Sequence, residues 1–229
     1  GGGKVIDVGK LASFNKSAEF ISCPTACSHD GIASKNASIA VDGLSTSFTA
    51  STPSAIIADL DIILKSPYRL TASGAADVIS NYTAVEDWKL GSKKGEEYSD
   101  AMARLALTAA DTVRASAGSI RKMEEKGIKN LVWGLIFSGI SMSLFGSSRP
   151  ASGAEHLFSH ALDRIAGNRA AGLLPKNGGR FGLHGEQVGI GSVFFSYLQG
   201  GDWKGIKKIL EDVGAPTRLD QIGVGKDVL

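Results

Sequence analysis

Four histidines are the whole imidazole complement of this 229-residue chain. His29 lies in "PTACSHDGIAS", His156 and His160 share "ASGAEHLFSHALDRIA", and His184 sits in "LHGEQVG". Imidazole titrates near neutral pH and is the commonest side-chain metal ligand, so its placement is the first clue to chemistry. His156 and His160 are four apart in a segment of helical composition, which puts both on one helix face. Such a pair is equally compatible with satisfied structural histidines. The metalloprotease motif H-E-x-x-H is absent, because Glu155 precedes the first histidine and Leu157 follows it. A carboxylate among small residues, Asp77 in "SGAADVISN", adds a different option. Two imidazoles and one carboxylate leave a bound zinc ion an open position, as a catalytic site requires.

The glycines raise a second question. "GGGKVID" fails the dinucleotide fingerprint G-x-G-x-x-G, since Ile6 stands at the third glycine position, and no P-loop G-K-[ST] follows. A glycine turn leading into a helix near Lys4 would still present free N–H groups and a positive dipole end to a pyrophosphate. A flexible terminus explains the triplet equally well, and it reads as though cut from a longer protein. Cys23 and Cys27 form C-x-x-x-C around Pro24, which is neither a redox C-x-x-C nor a zinc knuckle, so both are expected to be reduced, structural thiols in a cytoplasmic protein.

With 25 basic and 23 acidic residues the net charge is +2, and no block of like charges marks a nucleic-acid footprint. Small anionic substrates fit that balance. The most apolar stretch, "LVWGLIFSGISMSLFG" at 131–146, is too short and too rich in glycine and serine for a bilayer span, so a buried core helix is expected. No signal-peptide pattern opens the chain.

The elements that must carry these side chains change in character along the chain. Up to about Pro67, β-rich runs alternate with turn signals: "EFISCPT", "ASIAVDGLSTSFTAS" with a hairpin at Asp42-Gly43, and "SAIIADLDIIL". This part reads as α/β. From Tyr68 the pattern is helical. "SGAADVISNYTAVEDW" predicts a helix capped by Ser73, with Val78, Tyr82 and Val85 on one face. Met102, Leu105, Ala109, Val113, Ile120 and Met123 form one stripe, predicting a single long helix closed at Gly127. Helices around Trp133, around His156, from about His184, and over "DWKGIKKILEDVG" complete a bundle.

Taken in order, "GGGKVID", "PTACSHDGIAS", "GAADVISNYTAVEDW", "SSRPASGAEHLFSHALD" and "LHGEQVG" resemble the sn-glycerol-1-phosphate dehydrogenase family. That family is part of the superfamily of iron-containing alcohol dehydrogenases, glycerol dehydrogenases and dehydroquinate synthases. The resemblance implies a nucleotide-binding α/β part, here 1–69, apparently truncated, and an all-α metal- and substrate-binding part, 70–229, with the site in the cleft between them. It implies Asp77, His156 and His184 as zinc ligands, with Asp77 also touching substrate. His160 and Asp30 become substrate contacts, His160 a catalytic proton relay. Gly3, Lys4, Val5, Ile6, Asp7, Thr25, Ala26, Cys27, Ser28 and Ser34 become contacts of NAD or NADP.

The implied reaction is NAD(P)H-dependent reduction of dihydroxyacetone phosphate to sn-glycerol 1-phosphate, the backbone of archaeal membrane phospholipids, in a homo-oligomeric enzyme. Arg149, with Ser152 and the start of the His156 helix, is an additional candidate for the substrate phosphate. Glycerol dehydrogenase or dehydroquinate synthase-like activity, and an inactive metal-binding fragment, stay open as alternatives. The stretch from 161 to 183 looks like an inserted loop near the site.

Overall fold

The computed structural model describes every residue except 42–43, 168–180 and 226–229. The first helix, α1 (Gly3–Asn15), starts at Gly2 without a side-chain cap. Lys10 on its inner face is fully buried, a position a cation holds only when it is paired. Its Nζ lies 3.1 Å from Asp7 Oδ1 and donates to the carbonyls of Gly31 (2.9 Å), Ser34 (3.3 Å) and Asn36. Burial, opposed by Asp7, holds the Lys10 amine below its usual range. One buried ammonium thus clamps α1 to the chain just after His29.

The strands are short. β1 (Ile21–Ser22) pairs in parallel with β4 (Ala55–Ile56), and β2 (Asn36–Val41) pairs antiparallel with β3 (Leu44–Thr49) from Asn36↔Thr49 to Val41↔Leu44. The hairpin expected around Asp42-Gly43 is therefore present, although the two turn residues lie outside the described residues. The β character expected throughout "SAIIADLDIIL" stops at Ile56. Asp59 caps a short helix, α2 (Leu60–Ile63), by accepting from the Ile62 N–H, and this local bond turns the chain helical.

Eight helices follow among the described residues: α3 (Tyr68–Ile79), α4 (Asn81–Ser92), α5 (Asp100–Ala115), α6 (Ala117–Arg121), α7 (Glu125–Phe145), α8 (Ala154–Gly167), α9 (His184–Leu198) and α10 (Trp203–Asp212). Three expectations need correction. The helix expected over "SGAADVISNYTAVEDW" is two, α3 and α4, divided at Ser80. Ser73 is not a cap: α3 begins right after Pro67, and the Ser73 hydroxyl donates instead to the Ser28 carbonyl at 3.2 Å. The stripe from Met102 to Met123 is also not one helix. It breaks at Ser116 and again at Met123, whose φ of 54° is left-handed, and its buried face is Ala103, Ala106, Ala109, Ala110 and Val113. Gly127 lies inside α7, not at a C-cap. A Cβ there would stand 2.4 Å from the Ser119 carbonyl carbon and 2.5 Å from the Ile120 nitrogen, so glycine is needed for the close approach of α7 to α6.

One core runs through both parts of the chain, from Ile6, Cys27 and Ile63 to Val78, Leu131, Leu135 and Leu210. α7 is long and apolar enough to cross a membrane by composition, yet half of its apolar window is buried and it packs chiefly on α5, as a core helix does. Two of its large apolar residues are exposed, Leu144 and Trp133, the latter stacked on Phe137. The residues of the expected inserted loop from 168 to 180 lie outside the described residues.

Candidate metal centre

Three helices deliver three side chains to one point. Asp77 sits near the end of α3 and is 2% exposed, His156 occupies the first turn of α8, and His184 is the first residue of α9. Asp77 Oδ1 lies 3.7 Å from His156 Nε2 and 3.6 Å from His184 Nε2, and the three ligand atoms all fall within 4.8 Å of one another. A tetrahedral zinc ion with bonds of about 2.0–2.1 Å sets its ligand atoms about 3.3 Å apart, so small side-chain shifts would close this triangle around an ion. Among the described residues this is the one such group of three or more histidine, cysteine or carboxylate side chains.

The polar bookkeeping points the same way. Asp77 Oδ2 accepts from the backbone N–H of Asp30 at 2.9 Å, whereas Oδ1 is buried with no hydrogen-bond partner. An unpaired buried carboxylate oxygen facing two imidazole nitrogens is costly unless a cation satisfies it. Burial drives the Asp77 carboxyl above the usual range, an effect that His156 and the Asp30 N–H only partly offset. Asp30, whose Oδ2 accepts from Ser138 at 2.8 Å, is pushed up to about 6 by burial and by Asp77. Burial disfavours charged His156, but its hydrogen bond to Glu155 and the carboxylates of Glu155, Asp77 and Asp30 outweigh that and pull it above its usual value. A pocket that raises acids and bases together is one short of positive charge. The donor set, its spacing and the orphaned oxygen all fit a divalent ion.

Each histidine is held from behind. His156 Nδ1 is 2.9 Å from Glu155 Oε1, which also accepts from Gly153 N–H at 2.6 Å. His184 Nδ1 is 3.1 Å from Ser159 Oγ, Ser159 donates to Gln187 Oε1 at 2.6 Å, and Gln187 Nε2 donates to the Phe181 carbonyl at 2.9 Å. The first turn of α9 is fixed by Glu186, which accepts from Leu183 N–H and takes a two-pronged ion pair from Arg69 of α3, at 2.6 and 2.7 Å. Glu155, Ser159, Gln187 and Glu186 were not among the residues expected from sequence. Their only trace there is a polar residue adjacent to, or about one turn from, each metal-side histidine.

The other expected residues distribute as follows. His160 is exposed one turn after His156 on α8. Asp30 is joined to Asp77 through its own N–H. Gly3, Lys4, Val5, Ile6 and Asp7 form the first turns of α1, and a Cβ on Gly3 would lie 2.3 Å from His29 Nε2, so this helix start abuts the segment carrying Thr25, Ala26, Cys27 and Ser28. Thr25 N–H donates to the Gly1 carbonyl at 3.0 Å. Ile6, Asp7, Ala26, Cys27 and Ser34 are buried, Ser34 with its carbonyl on Lys10. Arg149 forms ion pairs with Asp87 at 2.9 Å and Glu96 at 2.6 Å.

The family pattern described as iron-containing alcohol dehydrogenase matches residues 1–67. In structure, the chain resembles a probable glycerol dehydrogenase from Sinorhizobium meliloti, with a TM-score of 0.80 at 20% identity over 99% of this chain and 64% of that one. It also resembles glycerol dehydrogenase from Schizosaccharomyces pombe, with a TM-score of 0.79 at 22% identity over 98% of this chain and 57% of that one. The fold is thus that of the iron-containing alcohol dehydrogenase class, in which this chain pairs a small α/β portion with a helical portion. Proteins named glycerol-1-phosphate dehydrogenase, NAD(P)+, are similar in sequence: 49% identical in Pyrococcus horikoshii and 50% in Pyrococcus furiosus, each over 100% of this chain and 63% of the relative. By sequence the chain is similar to these glycerol-1-phosphate dehydrogenases, and it spans somewhat less than two thirds of their length.

Proposed function

We propose that the protein reduces dihydroxyacetone phosphate to sn-glycerol 1-phosphate with NADH or NADPH, on a zinc ion held by Asp77, His156 and His184. The observation that carries this is the partnerless buried oxygen of Asp77 set between two imidazole Nε2 atoms. The sequence likeness to glycerol-1-phosphate dehydrogenases supports the choice of substrate. An ion bound there supplies Lewis acidity to the ketone oxygen while the nicotinamide supplies hydride.

The chain's own residues do the rest. Asp77 brings negative charge to the ion, and the two neutral imidazoles leave it electrophilic. Asp30, next to Asp77, accepts a hydrogen bond from a substrate hydroxyl. His160, on the same helix as His156, orients the substrate and relays a proton toward the nascent alkoxide through a hydroxyl or water. The start of α1, with Gly3 to Asp7, the 25–28 segment and Ser34, faces the cofactor: exposed helix N–H groups and their dipole suit a pyrophosphate. Residues 1–69 would then form the cofactor side and 70–229 the metal and substrate side. Arg149, already neutralised by two carboxylates, is assigned to tying α4 to the loop before α8. The product serves as phospholipid backbone in the cytoplasm, and the enzyme works as a homo-oligomer.

The test is bound zinc together with NAD(P)H oxidation by dihydroxyacetone phosphate, with and without chelator, followed by product chirality. His184→Ala should lose zinc and turnover together. Full zinc content in that variant would overturn the ligand set, and faster turnover of unphosphorylated glycerol than of glycerol 1-phosphate would overturn the substrate.

A further inference from the structure

We propose that Gln187 and Ser159 act as a hydrogen-bond relay, anchored on the Phe181 carbonyl, that locks His184 as the Nδ1–H tautomer and keeps its Nε2 lone pair turned toward Asp77. The direction of each bond follows from the fixed end. A backbone carbonyl can only accept, so the side of the Gln187 amide that meets Phe181 at 2.9 Å is the NH2 group. The same nitrogen lies 3.2 Å from Asp163 Oδ1, a second acceptor that demands the same orientation. The opposite atom is then Oε1, and the hydroxyl 2.6 Å from it must donate. Ser159 has one hydroxyl proton. With that proton committed, its oxygen can only accept from His184 Nδ1, 3.1 Å away. The proton on His184 therefore sits on Nδ1, and Nε2, the atom 3.6 Å from Asp77 Oδ1, is left basic.

The relay is well placed for this task. Ser159, Gln187 and Phe181 are essentially buried, so water cannot supply a competing donor to Ser159 or acceptor to Gln187. It differs from the support behind His156, where the Glu155 carboxylate fixes the tautomer directly and adds a negative charge. The Ser159–Gln187 route fixes His184 without further charge, which leaves an ion at Nε2 more electrophilic than two carboxylate-backed histidines would. Gln187 and Ser159 touch neither substrate nor ion, so they are positioning residues.

The inference rests on the metal-centre reading, and its test separates the two. Long-range 1H–15N spectra of histidine-labelled full chain, stripped of metal and held at mildly alkaline pH, should show the His184 proton on Nδ1. Zinc affinity, read by competition with a chromophoric chelator, should fall about 10–100-fold in Ser159→Ala, the range for loss of a group that orients a ligand. In Gln187→Met the Ser159 hydroxyl is released to donate to Nδ1, so a His184 Nε2–H signal should appear while the His156 signals stay put as internal control. A His184 proton on Nε2 in the parent chain, or parental zinc affinity in a folded Ser159→Ala, would overturn the relay. A parent with the Nδ1–H tautomer but no affinity for zinc would instead support the relay and sink the metal centre.

Discussion

Gly185, the residue after His184, offers the sharpest perturbation of the site. It packs against the backbone of α3 where that helix heads toward Asp77, and a Cβ added there would lie 2.0 Å from the Ser73 carbonyl oxygen. Ordinary contact begins at 3.4 Å, so Gly185→Ala must separate α3 and α9 locally by about 1.4 Å, the difference of those two distances. A zinc ligand tolerates a positional error of about 0.2 Å. The shift is several times that and falls between two of the three ligands. Zinc affinity should therefore drop by more than the roughly 10–100-fold expected for losing an outer hydrogen bond.

Overpacking of this kind costs about 1–3 kcal/mol, equivalent to a Tm lowered by roughly 2–12 °C in a chain of this size. That loss has to overcome the ~0.5–1 kcal/mol by which alanine normally favours a helix over glycine. Gly189→Ala is the control on the same helix. Its Cβ would meet the Ala76 methyl at 3.0 Å and Leu210 at 3.2 Å, contacts between side chains that yield by a few tenths of an ångström. Thermal unfolding and a zinc titration on both variants decide the matter. Parental zinc affinity in Gly185→Ala would refute the claim that α3–α9 spacing sets the ligand geometry.

Three further outcomes follow from the same contacts. Glu155→Ala removes the acceptor behind His156 and strands the buried Gly153 N–H, so zinc affinity should fall about 10–100-fold and stability by about 1–3 kcal/mol; unchanged zinc binding would show that His156 needs no such support. Arg149→Ala breaks the pairs to Asp87 and Glu96, and because these groups are partly solvated the loss should stay near 1 kcal/mol, with zinc affinity and KM for the ketone phosphate unchanged. A raised KM at constant Tm would return Arg149 to the substrate phosphate. Burial pushes the Cys27 thiol up to about 12, while Cys23 is exposed, so iodoacetamide on the native chain should label Cys23 and spare Cys27 by mass spectrometry, and alkylation of both at equal rates would contradict the buried placement.

Asp77, His156 and His184 were singled out in the sequence by the family resemblance, because residue types alone left four histidines and several carboxylates open as ligands. The change from mixed α/β to helical character and the β2–β3 pairing were legible because turn chemistry and hydrophobic period are local properties. Helix ends were less legible. Ser73 has cap chemistry but lies inside α3, where its hydroxyl bonds Ser28, and Gly127 has C-cap chemistry but serves the contact between α6 and α7. In both cases a partner outside the residue's own helix claimed the residue.

Sequence alone thus set which donor atoms are on offer and, through the resemblance, which three to propose as ligands, because a metal responds to the atom types it meets. Only tertiary structure decided how those atoms are aimed. The Ser159–Gln187–Phe181 support, the Arg69–Glu186 brace and the glycine-thin contact at Ser73 join segments far apart in the chain. Hydrogen bonds and van der Waals contact act over a few ångströms, and that proximity exists only once α3, α8 and α9 have packed.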